Sequence, residues 1–215
     1  MTFDIRAMPA PVEATLLAEL SGVELSTLGH WRLWGICDPA IQRLFPGEAV
    51  VGTAVTVALP LADSVTLHRA LDMVRPGDVL VIDRLGDRTH ACVGGVVARV
   101  ARDRDVAAIV VDGPVTDCAE LADIGLPIWC RGVSGLTTRR LGLGGRINAP
   151  VSIAGTVVEP GHAILCDANG VAVLAPDEVA QQIAQARAYG EREQRILEAL
   201  ERGESFAAAL SQAST

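Results

Sequence analysis

The sequence predicts an α/β protein whose central sheet is partly parallel. Between residues 50 and 131, apolar β-branched runs alternate with stretches whose apolar residues recur at helical spacing. Two hairpin-like runs follow, at 150–161 and 163–176, and these add antiparallel pairing. A length of 215 residues suits one sizeable core, so a single domain over 1–215 is predicted.

Each element has a local signal in the sequence. Strands are predicted where short apolar runs end at turn residues: 50–59, 79–83, 107–112 and 127–131. Helices are predicted where apolar positions share a face behind a capping residue or glycine: 11–20, 26–34, 63–74, from 94 onward, 117–124 and 177–202. The glycine- and arginine-rich segment 132–148 is predicted to be a mobile loop.

Composition excludes several classes of function. The formal charge of −8 argues against nonspecific binding to nucleic acid or to anionic membranes, because both need basic patches. No apolar run approaches the roughly 20 residues that cross a bilayer, and the first residues lack a secretory signal pattern, so a cytoplasmic location is predicted. All 18 basic residues are arginine, which excludes chemistry that needs a lysine amine.

The five cysteines form no C-x-x-C pair, so buried, reduced thiols are predicted rather than disulfides or a structural zinc site.

The segment 91–120 carries the leading candidate site. Gly94 and Gly95 open a helical run, which leaves free amides at Gly95, Val96 and Val97 for an anion. The same glycine pair is equally consistent with close packing of the helix against a strand, since the spacing of a nucleotide-binding fingerprint is missing.

Asp117 and Glu120 follow the next strand, at the other end of this segment. Two carboxylates completed by waters suit Mg²⁺ or Mn²⁺. The structural alternative is a capping box, in which Asp117 caps the following helix and Glu120 is its partner three residues later. The residues alone favour the capping box over the metal site.

Histidine and arginine residues add further candidates. His90 precedes the glycines and suits proton transfer, although a structural role is equally consistent; for His68 the structural role is favoured. Three arginines of the segment 132–148 either close on an anionic substrate or serve as surface charge or subunit contacts: Arg139, Arg140 and Arg146.

Several longer motifs are distinctive together: H-R-A-L-D-M-V-R-P-G-D-V-L-V-I-D, A-x-x-G-G, I-V-V-D-G-P-V-T-D, L-P-I-W, A-P-V-S-I-A-G-T-V-V-E-P-G and D-A-N-G-V-A-V-L-A-P. From about Ser21 to Gly203, this pattern resembles the RraA-like family. That family includes class II 4-hydroxy-4-methyl-2-oxoglutarate/4-carboxy-4-hydroxy-2-oxoadipate aldolases and regulators of RNase E activity.

The resemblance implies a three-layer sandwich of the swivelling β/β/α type with mixed sheets, with a core at about 21–176. It implies a homotrimer or homohexamer with sites between subunits, and C-terminal helices at 177–215 in subunit contacts. In the aldolases, Mg²⁺ or Mn²⁺ is held by an aspartate and waters. An arginine just before that aspartate grips the pyruvyl group, and amides at the glycine-rich helix start hold the carboxylate. Such Lewis-acid chemistry needs no lysine.

The aldolase pattern is an acidic residue, twenty intervening residues, Arg-Asp, two further residues and a second acidic residue. The chain departs from this pattern at two positions. Asp117 and Glu120 match its metal-binding end, but Gly95 replaces the first acid and Thr116 replaces the arginine. Losing the guanidinium removes about 2 to 5 kcal/mol of interaction with a carboxylate partner. His162 also stands where the family usually has aspartate.

These features predict a divalent-metal-dependent lyase of aldolase or decarboxylase type, acting on a small anionic oxo-acid or related carbonyl compound through an altered pocket. Two alternatives are a specialised isomerase, hydrolase or cyclase on the same scaffold, and a non-catalytic regulatory binding protein. The predicted site comprises Thr116, Asp117 and His90 as catalytic residues, Gly94, Gly95, Val96, Val97 and Thr116 at the substrate, Asp117 and Glu120 at the metal, and Glu193 from a neighbouring subunit.

Overall fold

The computed structural model describes residues 2–212. Within them, the helices are α1 (Ala14–Leu20), α2 (Leu25–Leu28), α3 (Val65–Leu71), α4 (Gly95–Asp103), α5 (Cys118–Ile124), α6 (Val179–Glu201) and α7 (Phe206–Gln212). The strands are β1 (Phe3–Ile5), β2 (Gln42–Arg43), β3 (Val50–Ala58), β4 (Asp78–Asp83), β5 (Ala108–Val111), β6 (Ile128–Cys130), β7 (Gly145–Ile147), β8 (Val151–Ile153), β9 (Thr156–Val158), β10 (Ala163–Asp167) and β11 (Gly170–Leu174).

Four parallel strands form the centre of the main sheet, in the order β3–β4–β5–β6. Strands β7 and β10 pair antiparallel with β3, so the sheet is mixed, as predicted. Side chains alternate between its faces: Leu80 and Ile82 enter one core, whereas Val79 and Val81 enter the other. Because β4 and β5 are buried on both faces, their sequences are apolar without interruption at 79–82 and 108–111.

Three hydrophobic clusters hold the layers together. One joins the sheet to α3, α4 and α5 through residues such as Leu67, Val97 and Leu121. A second joins the opposite face to the β8–β9 and β10–β11 hairpins, and a third joins β10–β11 to α1, α2 and α6. The predicted three-layer α/β sandwich is confirmed, with α1, α2 and α6 covering its outer side.

Two aspartates at the ends of β4 and β5 fasten the β8–β9 hairpin to the sheet. Asp83 Oδ2 accepts the Ser152 N–H at 3.1 Å, and Asp112 Oδ2 accepts the Ala154 N–H at 2.8 Å. Asp112 also forms an ion pair with Arg131. Both carboxylates are therefore structural, although they end parallel strands at the sheet edge where ligands commonly bind.

The loops beyond the parallel strands contain left-handed backbone at residues other than glycine. Leu61, after β3, has a φ of 47°, and Leu85, after β4, has a φ of 50°. A left-handed conformation costs on the order of 1 kcal/mol at such residues. This edge of the sheet is therefore built with local backbone strain.

The segment 132–148 is tied to the fold by a buried anion, which corrects its prediction as a mobile loop. The carboxylate of Asp63 is fully buried and accepts the N–H groups of Leu141 at 3.0 Å and Leu143 at 2.6 Å. Burial alone raises the pKa of Asp63, but these and neighbouring amides outweigh it and hold that pKa below its usual value. The last part of the segment forms β7.

The predicted second helix is shorter than the sequence indicates. It ends at Leu28 instead of near Trp34 because Gly29 follows and the chain turns there. The side chain of Arg32 then turns inward, and its guanidinium lies 2.6 Å from Glu178.

The C-terminal helices form part of the outer layer. Val179 and Ile183 of α6 are buried, whereas Leu197 of α6 and Phe206 of α7 are 54% and 62% exposed. Exposed apolar side chains are compatible with the predicted subunit contacts of 177–215, which stay a prediction; residues 213–215 lie outside the described part of the chain. No helix within residues 2–212 combines the length and hydrophobicity needed to cross a membrane.

Candidate active site

A cleft of about 360 Å³ lies at the start of α4. Four parts of the chain meet there: the N-terminal region of α3, residues 91–97, residues 116–117 and the 137–140 part of the segment 132–148. Its lining residues are Ser64, His68, Ala91, Cys92, Gly94, Val96, Val97, Thr116, Asp117, Thr137, Thr138, Arg139 and Arg140. A larger groove beside Arg43 and Asn169 contains none of the predicted site residues.

The N-terminus of α4 forms one wall of this cleft. The Gly95 N–H donates to Asp117 Oδ2 at 3.0 Å, so this amide is not free, contrary to the prediction. The first hydrogen bond within the helix runs from Ala98 N–H to Gly94 O. Within residues 2–212, the N–H groups of Val96 and Val97 have no protein acceptor. Two open donors and the positive end of the helix therefore remain for a ligand.

The two glycines make room for carboxylates. A Cβ added to Gly94 would lie 2.5 Å from Asp117 Oδ2, and a Cβ added to Gly95 would overlap the carboxylate of Glu120. The carboxylates of Asp117 and Glu120 thus both approach the same two-residue backbone. The alternative of helix–strand packing does not account for the pair, since the nearest atom to each added Cβ is a carboxylate oxygen.

Asp117 does not form the capping box that the residues alone favoured. Its backbone is left-handed, with a φ of 57°, and its side chain makes no capping hydrogen bond to α5. The carboxylate instead bonds to the amide of Gly95, 22 residues earlier in the chain. A left-handed aspartate is a strained feature of the kind that occurs at functional sites.

The donor chemistry fits a hard divalent cation bound mainly by water. Asp117 and Glu120 supply carboxylate oxygens, the ligand type that Mg²⁺ and Mn²⁺ prefer. Within residues 2–212, no group of three or more acidic, histidine or cysteine side chains is placed to hold a metal. Arg99 lies 3.5 Å from Glu120, both side chains being half-exposed, and partly offsets its charge.

Thr116 lines the cleft and is positioned by its backbone, while its catalytic and substrate-binding roles stay a prediction. Its N–H donates to Val93 O at 2.9 Å, and Val93 and Val115 form a parallel bridge. Its hydroxyl lies 3.4 Å from Asp117 Oδ1, too long for a strong hydrogen bond. The hydroxyl can therefore donate to a ligand instead.

His90 lies beside the cleft and outside its lining. His90 Nδ1 is 2.9 Å from Asp87 Oδ2, which also accepts from the guanidinium of Arg84 at 3.1 Å. Burial alone raises the pKa of Asp87, but hydrogen bonds from Thr89 and His90 outweigh it and hold that pKa far below its usual value. The fully buried Arg84 and its partner Asp87 were not predicted; an aspartate followed by polar residues in G-D-R-T-H was the available signal for such a turn.

The remaining candidates divide into two groups. His68, Arg139 and Arg140 line the cleft, together with Ser64, Thr137 and Thr138; for these last three no pattern in the sequence pointed to a site. Glu193 lies on α6, in a separate groove formed with α1 and α2. A contribution of Glu193 to a neighbouring subunit's site stays a prediction.

The fold and the carboxylate pair define an α/β protein with a cleft at the N-terminus of α4. A family description termed RraA-like, Aldolase/RraA, matches residues 29–173, and the chain belongs to that family.

Three relatives illustrate the similarity. A protein of Halalkalibacterium halodurans with the provisional name 4-hydroxy-4-methyl-2-oxoglutarate aldolase is 37% identical over 134 residues, which cover 62% of this chain and 63% of that protein. The crystal structure of Streptomyces coelicolor RraAS2, described as an unusual member of the RNase ES inhibitor RraA family, aligns with a TM-score of 0.77 and 26% identity over 88% of this chain and 97% of that one. An uncharacterised Pseudomonas syringae protein shares the fold, with a TM-score of 0.81 and 24% identity over 94% and 96%.

Proposed function

We propose that the protein is a divalent-metal-dependent lyase that cleaves a small oxo-acid or related carbonyl compound. The observation that carries this proposal is the approach of the Asp117 and Glu120 carboxylates to the Gly94–Gly95 backbone, at the open end of α4. The aldolase name of relatives such as that of H. halodurans supports a lyase class.

Five residues have a defined task in this proposal. Asp117 and Glu120 would hold Mg²⁺ or Mn²⁺, which acts as a Lewis acid on a carbonyl oxygen when bound. The open amides of Val96 and Val97 stabilise negative charge on the substrate, helped by the dipole of α4. Thr116 donates a weaker, neutral hydrogen bond where an arginine would give a charged one.

Proton transfer is assigned to His90 as a candidate. Its Nδ1 is engaged by Asp87, which fixes the orientation of the ring and leaves Nε2 for exchange with solvent or substrate. Because His90 lies outside the lining of the cleft, this role requires the substrate, a water or a neighbouring subunit to bridge the gap.

The proposal also includes a trimeric or hexameric assembly, in which Glu193 enters the site of a neighbouring subunit. Unpaired thiols at all five cysteines keep the cytoplasm as the expected compartment.

A pyruvate-release assay tests the reaction. With Mn²⁺, the protein is expected to release pyruvate from oxaloacetate faster than Mn²⁺ alone and to lose that activity in chelator. Cleavage of 4-hydroxy-4-methyl-2-oxoglutarate is expected to be weaker than in an aldolase that keeps arginine before the aspartate, because Thr116 holds a carboxylate poorly. Equal rates with and without protein would refute the lyase; ordinary aldolase rates would refute the altered pocket.

A regulatory, non-catalytic role is the second candidate, and Thr116 is the observation that favours it. A chain without the guanidinium can keep the fold while losing turnover, and RraAS2 is described as a member of an RNase ES inhibitor family. This candidate predicts no change in melting temperature with Mn²⁺. A specialised isomerase, hydrolase or cyclase would share the metal dependence of the proposed lyase and would be distinguished from it by the product formed.

Substitution of Gly95 by alanine tests the placement of Glu120. The added methyl group is expected to displace the half-exposed Glu120 carboxylate, so Mn²⁺ affinity falls as far as in Glu120→Gln. The free energy of unfolding should change by less than about 1 kcal/mol, since the displaced group is the end of a flexible side chain.

Calorimetric titration with Mn²⁺ and urea unfolding give the two quantities. Gly135→Ala is the matched control, because a Cβ there meets no atom within 4 Å. Unchanged Mn²⁺ affinity in both Gly95→Ala and Glu120→Gln would remove Glu120 from the metal site.

A further inference from the structure

The cleft contains two cations that the fold leaves unpaired. Within residues 2–212, neither the guanidinium of Arg139 nor that of Arg140 forms an ion pair or a hydrogen bond, although both line the cleft. The chain carries a formal charge of −8, and most of its arginines have acidic partners. Two unpaired arginines beside one cleft are therefore a charge that the protein itself does not neutralise.

The backbone that carries these arginines is fixed relative to α4. Thr138 N–H donates to Ala91 O at 3.1 Å, three residues before Gly94, and Ala91 N–H donates to Leu136 O at 2.8 Å. The two segments therefore form one wall. The position of the arginines beside the start of α4 does not depend on closure of a loop.

The same backbone is also anchored on its other side. Arg139 N–H donates to Ala62 O at 2.7 Å, and Arg139 O accepts from Ser64 N–H at 3.0 Å. Asp63, between these partners, holds the amides of Leu141 and Leu143. The buried aspartate thus fixes the backbone just after the arginine pair, while Ala62 and Ala91 hold it at Arg139 and Thr138. A backbone fixed on both sides of the pair lowers the entropy lost when a guanidinium binds an anion.

We propose that Arg139 and Arg140 provide the carboxylate grip that Thr116 cannot, so that the substrate carboxylate is bound between these guanidinium groups and the open amides of Val96 and Val97. A guanidinium binds a carboxylate through two parallel hydrogen bonds, which a threonine hydroxyl cannot reproduce. The substrate class that follows is a small acid whose carboxylate lies on the 137–140 side of the cleft, opposite to the Thr116 side.

This inference rests on the proposed function for the identity of the anion as an oxo-acid. The carboxylate-binding step itself needs no metal, so the two can be tested apart. Pyruvate is the probe, titrated by calorimetry in chelator and again with Mn²⁺. Glutamine variants of both arginines are compared with the unchanged protein, and Arg102→Gln is the matched control. Arg102 is exposed on α4 and, among residues 2–212, pairs only with its neighbour Asp103.

The double variant Arg139→Gln/Arg140→Gln is expected to bind pyruvate about tenfold or more weakly, both in chelator and with Mn²⁺. Arg102→Gln should bind as the unchanged protein does. Lysine at both positions keeps the charge without the planar fork and should recover part of the loss. In the pyruvate-release assay, the double variant should raise KM more than it lowers kcat, as expected when ground-state binding is removed.

Unchanged pyruvate affinity and KM in the double variant would overturn the inference while leaving the lyase proposal standing. Absence of pyruvate binding to the unchanged protein would also overturn it. Arginine-dependent binding without any Mn²⁺-dependent turnover would instead support the inference and count against the proposed reaction.

Discussion

Replacement of Asp117 by asparagine is expected to lower Mn²⁺ affinity about 100-fold and metal-dependent pyruvate release about 1,000-fold or more. The carboxylate is a principal ligand in the proposed site, and a bound metal stabilises charge in the transition state by several kcal/mol, each 1.36 kcal/mol being about tenfold in rate. Asparagine has the same shape and tolerates the left-handed backbone of this position, so the fold should persist.

The fold of the variant is checked separately from its activity. The neutral side chain keeps an oxygen for the Gly95 N–H but loses its charge at the end of α4, which costs about 0.3 to 1 kcal/mol of unfolding free energy. Asp123→Asn, an exposed change on the same α5 helix, is the control for charge alone. Full Mn²⁺ affinity in Asp117→Asn would refute the metal site, and full activity would refute the mechanism.

Replacement of Asp87 by asparagine is expected to reduce the free energy of unfolding by about 3 kcal/mol or more at neutral pH. Asp87 faces the fully buried guanidinium of Arg84, and removing the negative partner of a buried pair leaves an uncompensated charge. The amides of Thr89 and His90 also lose their charged acceptor. Urea unfolding at pH 7 measures the loss, and Asp103→Asn at an exposed pair should change it by less than about 1 kcal/mol.

The pH dependence of this loss has a definite sign. Because the pKa of Asp87 is lowered in the folded protein, its stabilisation is fully present above the unfolded pKa near 3.9 and disappears as pH falls towards the folded value. The difference between the unchanged protein and Asp87→Asn should therefore be constant from about pH 7 to 5 and shrink below about pH 4. A difference that grew on acidification would show that Asp87 is not held as an anion.

The regular elements of the fold were predictable because their signals are local. β4 and β5 are buried on both faces and read as continuous apolar runs, and Ala168-Asn169-Gly170 marks the turn between β10 and β11. The order of strands and helices then limits the possible sheet topologies, because connections between parallel strands are short and almost always right-handed.

The site was predictable only in part, because its contacts join distant residues. Asp117 bonds to Gly95, 22 positions away, and no local pattern distinguishes that bond from a cap on the adjacent helix. Asp63 fixes amides 78 and 80 residues further on, which turns an apparently loose segment into a wall of the cleft. The role of Arg84 also escaped prediction, since burial of its guanidinium depends on the partner that Asp87 provides after folding.

The left-handed backbone at three non-glycine residues has a consequence for engineering. Of the six non-glycine residues with positive φ within residues 2–212, Leu61, Leu85 and Asp117 follow β3, β4 and β5 in turn, so these three lie at the same edge of the sheet. Glycine or asparagine would relax each position, and a protein optimised for durability alone would use them there. Leu61 and Leu85 lie outside the cleft lining and are the positions at which heat resistance can be increased with least interference, whereas Asp117 lines the cleft and is a metal ligand in the proposed site.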